Sequence, residues 1–386
     1  MKKQTRFEIT SSILVFLTFF LFLIEQIQAK SMSRVTFIII LLGFLLLFAQ
    51  RQIPVSTLLV ILILVIQLSL SVFMSGSNNV LRILKSVQFI LIAVLLVNFK
   101  LYYKIILYSF SLHVGYFAYQ MFIGSNPNLI FAASRNMVSV IMLIQTSLLY
   151  LTLIGNNRRI TFIPALINLY VCLWAVGRSG IISSLILFFG VSYAILKQDD
   201  KWKKSLGVLI LGLIIVFAFY IFQTVVSSSE LFPKNIVVAR DNFLSRGLES
   251  GGRGSILIEY LRTATSNMRY FIFGVPSKSS QIFIDFNSNF HNSYLRLHSN
   301  YGLLGFLLIM IMILVALINL IRNKSILHVA LFLALLVRIS TDTIAFVGIT
   351  DPLLFYFILP KTFDNFSKVK VNAIEVPYSQ LKRRRA

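Results

Sequence analysis

The sequence predicts an all-α polytopic membrane protein of about 12 transmembrane helices, with one large extracytoplasmic loop between helices 9 and 10. Three observations carry that expectation. Of 386 residues, 57% are hydrophobic and only 13% are charged, against roughly 25% charged in a soluble domain. The apolar residues lie in long runs, such as Val208 to Val226 and Leu303 to Leu320, about what a ~30 Å hydrocarbon core requires. The formal net charge is +23, yet the basic residues are scattered between the runs. A nucleic-acid partner would call for a dense basic patch on a polar surface, so none is expected. A soluble enzyme is excluded by the same figures.

The first run follows Lys2, Lys3 and Arg6. It resembles a signal peptide only superficially. Glu25-Gln26-Ile27-Gln28 comes next, with no small-residue cleavage site, so a retained span is expected. The candidate spans are 9–25, 35–50, 54–73, 80–98, 101–123, 135–154, 160–176, 179–196 and 205–226. These nine form a membrane domain over 1–226, with a cytoplasmic N-terminus. An extracytoplasmic loop with short helices takes 227–300. Spans 301–321, 326–347 and a short 351–360 complete the set, and 361–386 is a basic cytoplasmic tail.

Orientation follows from the excess of Lys and Arg on cytoplasmic turns. With the N-terminus inside, 21 of the 36 basic residues fall on inner segments or the tail. The short outer connections hold Lys30 and Arg34, with Arg135 and Arg178 at span edges. The lone cysteine, Cys172, sits inside an apolar run, where a small buried side chain is the plain reading.

Chemistry is sought in charged groups at the outer boundary. The 227–300 segment has six Arg and two Lys against five acids, and Arg suits bidentate contact with phosphate or carboxylate. Gly177-Arg178-Ser179-Gly180 reads as a tight outer turn that presents Arg178. Arg246 and Arg253 flank the glycine-rich stretch 247–252. The run after Arg253 has helical spacing at Ile256, Tyr260 and Ala264, and Phe273-Gly274-Val275-Pro276 supplies its stop. His291-Asn292-Ser293 precedes the tenth span, with Asn292 or Ser293 as N-cap. A neutral imidazole at His291 can accept a proton. His298, two turns on, supports it from the same face. No cysteine or acid cluster completes a metal ligand set around these histidines, so no metal and no cofactor are expected. Arg338 and Asp342, in the outer half of their span, are spaced to pair.

This order of features resembles the bacterial O-antigen polymerase and O-antigen ligase superfamily, membrane glycosyltransferases of the GT-C type. The resemblance rests on Gly177-Arg178-Ser179-Gly180, Arg253, Phe273-Gly274-Val275-Pro276, His291-Asn292-Ser293-Tyr294-Leu295 and Tyr301-Gly302-Leu303-Leu304-Gly305, over about 170–320. The family's Ser-Arg-Gly turn is here Arg178-Ser179-Gly180, and its final glycine in the second turn is here Pro276.

The resemblance implies undecaprenyl-diphosphate-linked glycans as donor and acceptor in the lipid bilayer, and inverting transfer. It implies His291 as general base and Arg178 and Arg253 on the departing diphosphate, with Arg135 and Arg246 as further candidates. A repeat-unit flippase and a chain-length regulator are the implied protein partners, and the bacterial cytoplasmic membrane is the implied location. Other GT-C enzymes hold a metal with acids of the first outer loop. Gln26 to Arg34 contains none, so metal-independent transfer is expected. Repeat-unit polymerisation is the first expectation and ligation to lipid A-core the second. A polysaccharide flippase or transporter is the third, and it would place charges at the bilayer midplane.

Overall fold

The computed structural model describes residues 3–28, 38, 41–43, 55–74, 80–131, 134–198, 253–286 and 289–359. Among these there is no strand. The helices are α1 (Lys3–Gln28), α2 (Val55–Met74), α3 (Val80–Asn98), α4 (Tyr103–Phe122), α5 (Asn136–Gly155), α6 (Ile163–Trp174) and α7 (Arg178–Gln198). After the next described residue come α8 (Arg253–Ser266), α9 (Met268–Phe273), α10 (Gln281–Asp285), α11 (Ser293–Arg322), α12 (Ile326–Ser340) and α13 (Asp351–Ile358). Most of the expected span 35–50, and all of 205–226 and the tail 361–386, lie outside the described residues.

Five of the described helices are long and apolar enough to cross a membrane: Phe7–Gln28 of α1, then α2, α5, Arg178–Ile195 of α7, and α11. Helices α6 and α12 are apolar but shorter. Their packing follows from how little separates them. A Cβ on Gly190 of α7 would overlap the Cβ of Ala330 on α12, the close approach that small residues permit between apolar helices. Helix α5 is the central one, with nearly every residue buried, and Cys172 is buried on neighbouring α6.

Two boundaries differ from those read in the sequence. The helix that contains the expected span 301–321 starts earlier, at Ser293, because Asn292 caps it: its Oδ1 accepts the amides of Tyr294 and Leu295 at 2.8 and 3.4 Å. The helix then breaks at Gly302, whose φ is 65°. The eleventh span stops at Ser340, and residues 341–350 form an irregular connection held by side chains rather than by helical hydrogen bonds.

The described part of the 227–300 segment has its own core. Ile256, Tyr260 and Ala264 line one face of α8, as their spacing predicts, and pack with Val275, Phe283 and Phe290. Glu259 pairs with Arg262 at 2.7 Å. A hydrogen bond from the Ser280 side chain, and then Arg262, hold its carboxyl below the usual range. Gly274 closes α9 at φ 97°.

Two of the three positive-φ glycines among the described residues, Gly274 and Gly302, each face the other's segment. A Cβ on Gly274 would overlap the carbonyl oxygens of His298 and Ser299, and one on Gly302 would overlap that of Ile272. Gly302→Ala is therefore expected to cost about 2–4 kcal/mol, combining left-handed strain with overpacking. The check is the apparent melting temperature of detergent-purified protein, which should fall by several degrees. An unchanged melting temperature would contradict the close approach.

Candidate functional site

One end of the bundle gathers the start of α3, α5, α7 and α11 with the finish of α12. The gathering is visible in hydrogen bonds. Arg82 of α3 donates through Nη1 to Oδ1 of Asn300 on α11, at 3.4 Å. Ser293 at the start of α11 donates to the Asp342 carbonyl at 2.5 Å and accepts the amides of Ile344 and Ala345, each at 3.1 Å. Asn136 at the start of α5 donates to Oδ2 of Asp342 at 3.1 Å. Gly177, just before α7, lies against that same Asn136 side chain.

Within this end lies a polar cavity of about 270 Å³, walled by Arg82, Arg296, Asn289, Asn300 and Thr343. Ser277, Phe290 and Ser299 complete the lining. Arg296 is fixed from behind. Its Nη1 donates to the Thr343 carbonyl at 2.7 Å and its Nη2 to the Val347 carbonyl at 3.0 Å. A guanidinium has five N–H donors, so donors remain for the cavity. Asn300 Nδ2 donates to the Phe346 carbonyl at 2.7 Å, so with the Asp342, Thr343 and Val347 carbonyls the 341–350 connection is tied to α11 at four carbonyls.

The shape of that connection comes from Asp351. Its Oδ1 accepts the Phe346 amide at 2.6 Å, and its Oδ2 accepts those of Val347 and Gly348 at 2.7 and 2.9 Å. Phe346 and Val347 have φ of 57° and 77°, a strained conformation for a β-branched or bulky residue. The carboxylate is what keeps three consecutive amides turned inward.

The histidines have different surroundings. His291 follows Phe290, a wall residue, and has φ 50°. Its amide donates to Asn289 Oδ1 at 2.9 Å, and its ring meets Phe286 edge-on at 6.0 Å between centroids. That Asn289 oxygen also accepts the Thr343 hydroxyl at 2.5 Å, so His291 is tied to the cavity wall through its backbone. His298 has both ring nitrogens engaged, Nδ1 with the Tyr260 hydroxyl and Nε2 with the Phe271 carbonyl, each at 2.8 Å. A carbonyl only accepts, so Nε2 carries a proton. Burial pushes the Tyr260 phenol up, which keeps it a donor. His298 thus fastens α8 and α9 to α11.

Of the arginines singled out in the sequence, Arg178 opens α7 and Arg135 caps α5, both half-buried at this end of the bundle. Neither is among the residues walling the cavity. Arg253 opens α8 by its backbone, while its side chain and the whole of Arg246 lie outside the described residues. The expected Arg338–Asp342 pair is present at 3.6 Å. Arg338 is fully buried and also donates through Nη2 to the Asn136 carbonyl at 2.9 Å. Among the described residues, no three His, Cys, Asp or Glu side chains converge on one point.

The sequence reading passed over Arg82 and did not select Arg296. Both could have been found. Arg82 is a basic residue in what the charge count makes the outer part of an expected span, where the cytoplasmic bias in Lys and Arg does not explain it. Arg296 is one turn past the Asn292 cap and five residues after His291. Compared with known proteins, the chain matches no family model, and no curated protein matches it.

Proposed function

We propose that the chain is a membrane glycosyltransferase that polymerises undecaprenyl-diphosphate-linked oligosaccharide repeat units into a surface polysaccharide. The bacterial cytoplasmic membrane is its proposed location. One observation carries the reading: an otherwise apolar bundle has, at one end, a polar cavity with two guanidinium groups, and His291 adjoins its wall. Such a cavity suits the holding of a polar, negatively charged substrate beside a candidate proton acceptor.

In this reading the acceptor sugar hydroxyl attacks the anomeric carbon of the donor glycan. A new carbon–oxygen bond forms as the bond to the carrier diphosphate breaks. The diphosphate leaves with the electron pair, and the hydroxyl proton passes to the imidazole of His291. Direct attack inverts the anomeric configuration, and no covalent enzyme intermediate is needed. Fixed cations near the departing diphosphate lower the barrier without reorganising. Arg178 and Arg135 share this end of the bundle and are proposed for that role, with Arg253 and Arg246.

The test is the full chain in detergent, given carrier-linked repeat units and no ion gradient. Products longer than one repeat support the reading, and unchanged substrate rejects it. Activity should survive EDTA. His291→Ala is expected to lower elongation about 10²–10⁴-fold, the usual contribution of a general base, while the variant still purifies as folded protein. Wild-type chain lengths from that variant would remove His291 from the mechanism.

A further inference from the structure

We infer that the cavity between Arg82 and Arg296 binds a single acidic sugar residue, one that carries a carboxylate. The inference deepens the transferase reading and rests on it for the ligand being a glycan.

Charge, size and lining each narrow the choice. Two guanidinium groups wall the cavity and no acid does. Each acts on the other as a like charge, so an empty cavity leaves a repulsion that an anion would relieve. The nearby acids do not cancel both cations. Asp342 is engaged with Arg338 at 3.6 Å. Asp351 lies close enough to act on Arg296, and it is held in place by three amides rather than by a cation. Counted together, Arg82, Arg296 and Arg338 against Asp342 and Asp351 leave one positive charge. That matches a carboxylate better than a diphosphate. A planar carboxylate also suits the guanidinium fork.

The cavity volume is about 270 Å³. It lies just below the ~300–1,000 Å³ of sites that take drug-sized ligands. One pyranose ring suits this volume. The remaining wall is of the kind that recognises a sugar: Asn289, Asn300, Ser299 and Thr343 supply amide and hydroxyl groups for ring hydroxyls, and Phe290 supplies an apolar patch for a C–H face.

The experiment is saturation-transfer NMR on the full chain in nanodiscs, with methyl glucuronide as probe and methyl glucoside and pyrophosphate as competitors. Binding needs no turnover, so its failure is separate from failure of the transferase reading, which the elongation assay tests. The glucuronide should bind, and the neutral glucoside should not displace it at tenfold higher concentration. Arg82→Gln should weaken glucuronide binding at least tenfold. Arg82 makes one long hydrogen bond within the protein, so this variant should fold, and Arg82→Lys, which keeps the charge, should recover part of the affinity. Equal binding of glucoside and glucuronide overturns the inference, as does unchanged binding by Arg82→Gln. Pyrophosphate binding that is tighter than glucuronide, and lost in the same variant, overturns it in favour of a plain diphosphate site.

Discussion

Replacing Arg296 by alanine is expected to lower elongation by the purified protein about a hundredfold, the scale of a substrate displaced from its productive position. The loss has two parts. The Thr343 and Val347 carbonyls lose their guanidinium donor, at about 1–3 kcal/mol for each buried group left unsatisfied. The cavity also loses one of its two cations. Arg296→Lys separates these parts. It keeps the charge, but a lysine ammonium cannot fork between two carbonyls while still facing the cavity. Its melting temperature should lie between those of wild type and alanine, with elongation still reduced about tenfold. Elongation within threefold of wild type in the alanine variant would show that the cavity takes no part in the reaction.

How much of this was legible beforehand depends on the kind of signal. The apolar spans were legible because twenty residues without a polar face leave few other structures open to the chain. Helix α8 was legible from Ile256, Tyr260 and Ala264, whose spacing needs a partner face, and Val275, Phe283 and Phe290 provide one. The cap at Asn292 was legible because its chemistry is local. The cavity was not. It is made where α3, α11 and the 341–350 connection meet, residues more than two hundred positions apart, and no local pattern records that meeting. The same holds for His298. Its spacing from His291 suggested a shared face, but Tyr260 and Phe271 engage both of its nitrogens. The 341–350 connection misled for a further reason. Ile344, Ala345, Phe346, Val347 and Ile349 read as the end of an apolar span, and they are buried. They are buried as an irregular loop, which protein rather than lipid must surround.

Asp351→Ala is expected to produce the largest loss of stability of any single change at this end of the bundle, on the order of 3–5 kcal/mol. The carboxylate accepts three amides in a row. Without it, two buried N–H groups and the part-buried one of Gly348 have no acceptor from this side chain, each at about 1–3 kcal/mol, with relaxation recovering part of the sum. Phe346 and Val347 hold left-handed φ values of 57° and 77°, about 1–3 kcal/mol of strain each that only a surrounding over-determined structure sustains. Once released, they should return to ordinary backbone geometry. That movement withdraws the Val347 carbonyl from Arg296 and the Phe346 carbonyl from Asn300, so the damage reaches the cavity. Asp351→Asn should be milder, because its one remaining carbonyl oxygen can still accept. Asp351→Glu should fall near alanine, since the extra methylene displaces the carboxylate from a buried nest with no room to shift. Thermal unfolding in detergent ranks the four proteins, and the expected order is wild type, asparagine, glutamate, alanine. An alanine variant that melts with wild type would mean that the three amides find other acceptors and that the loop's shape is set elsewhere.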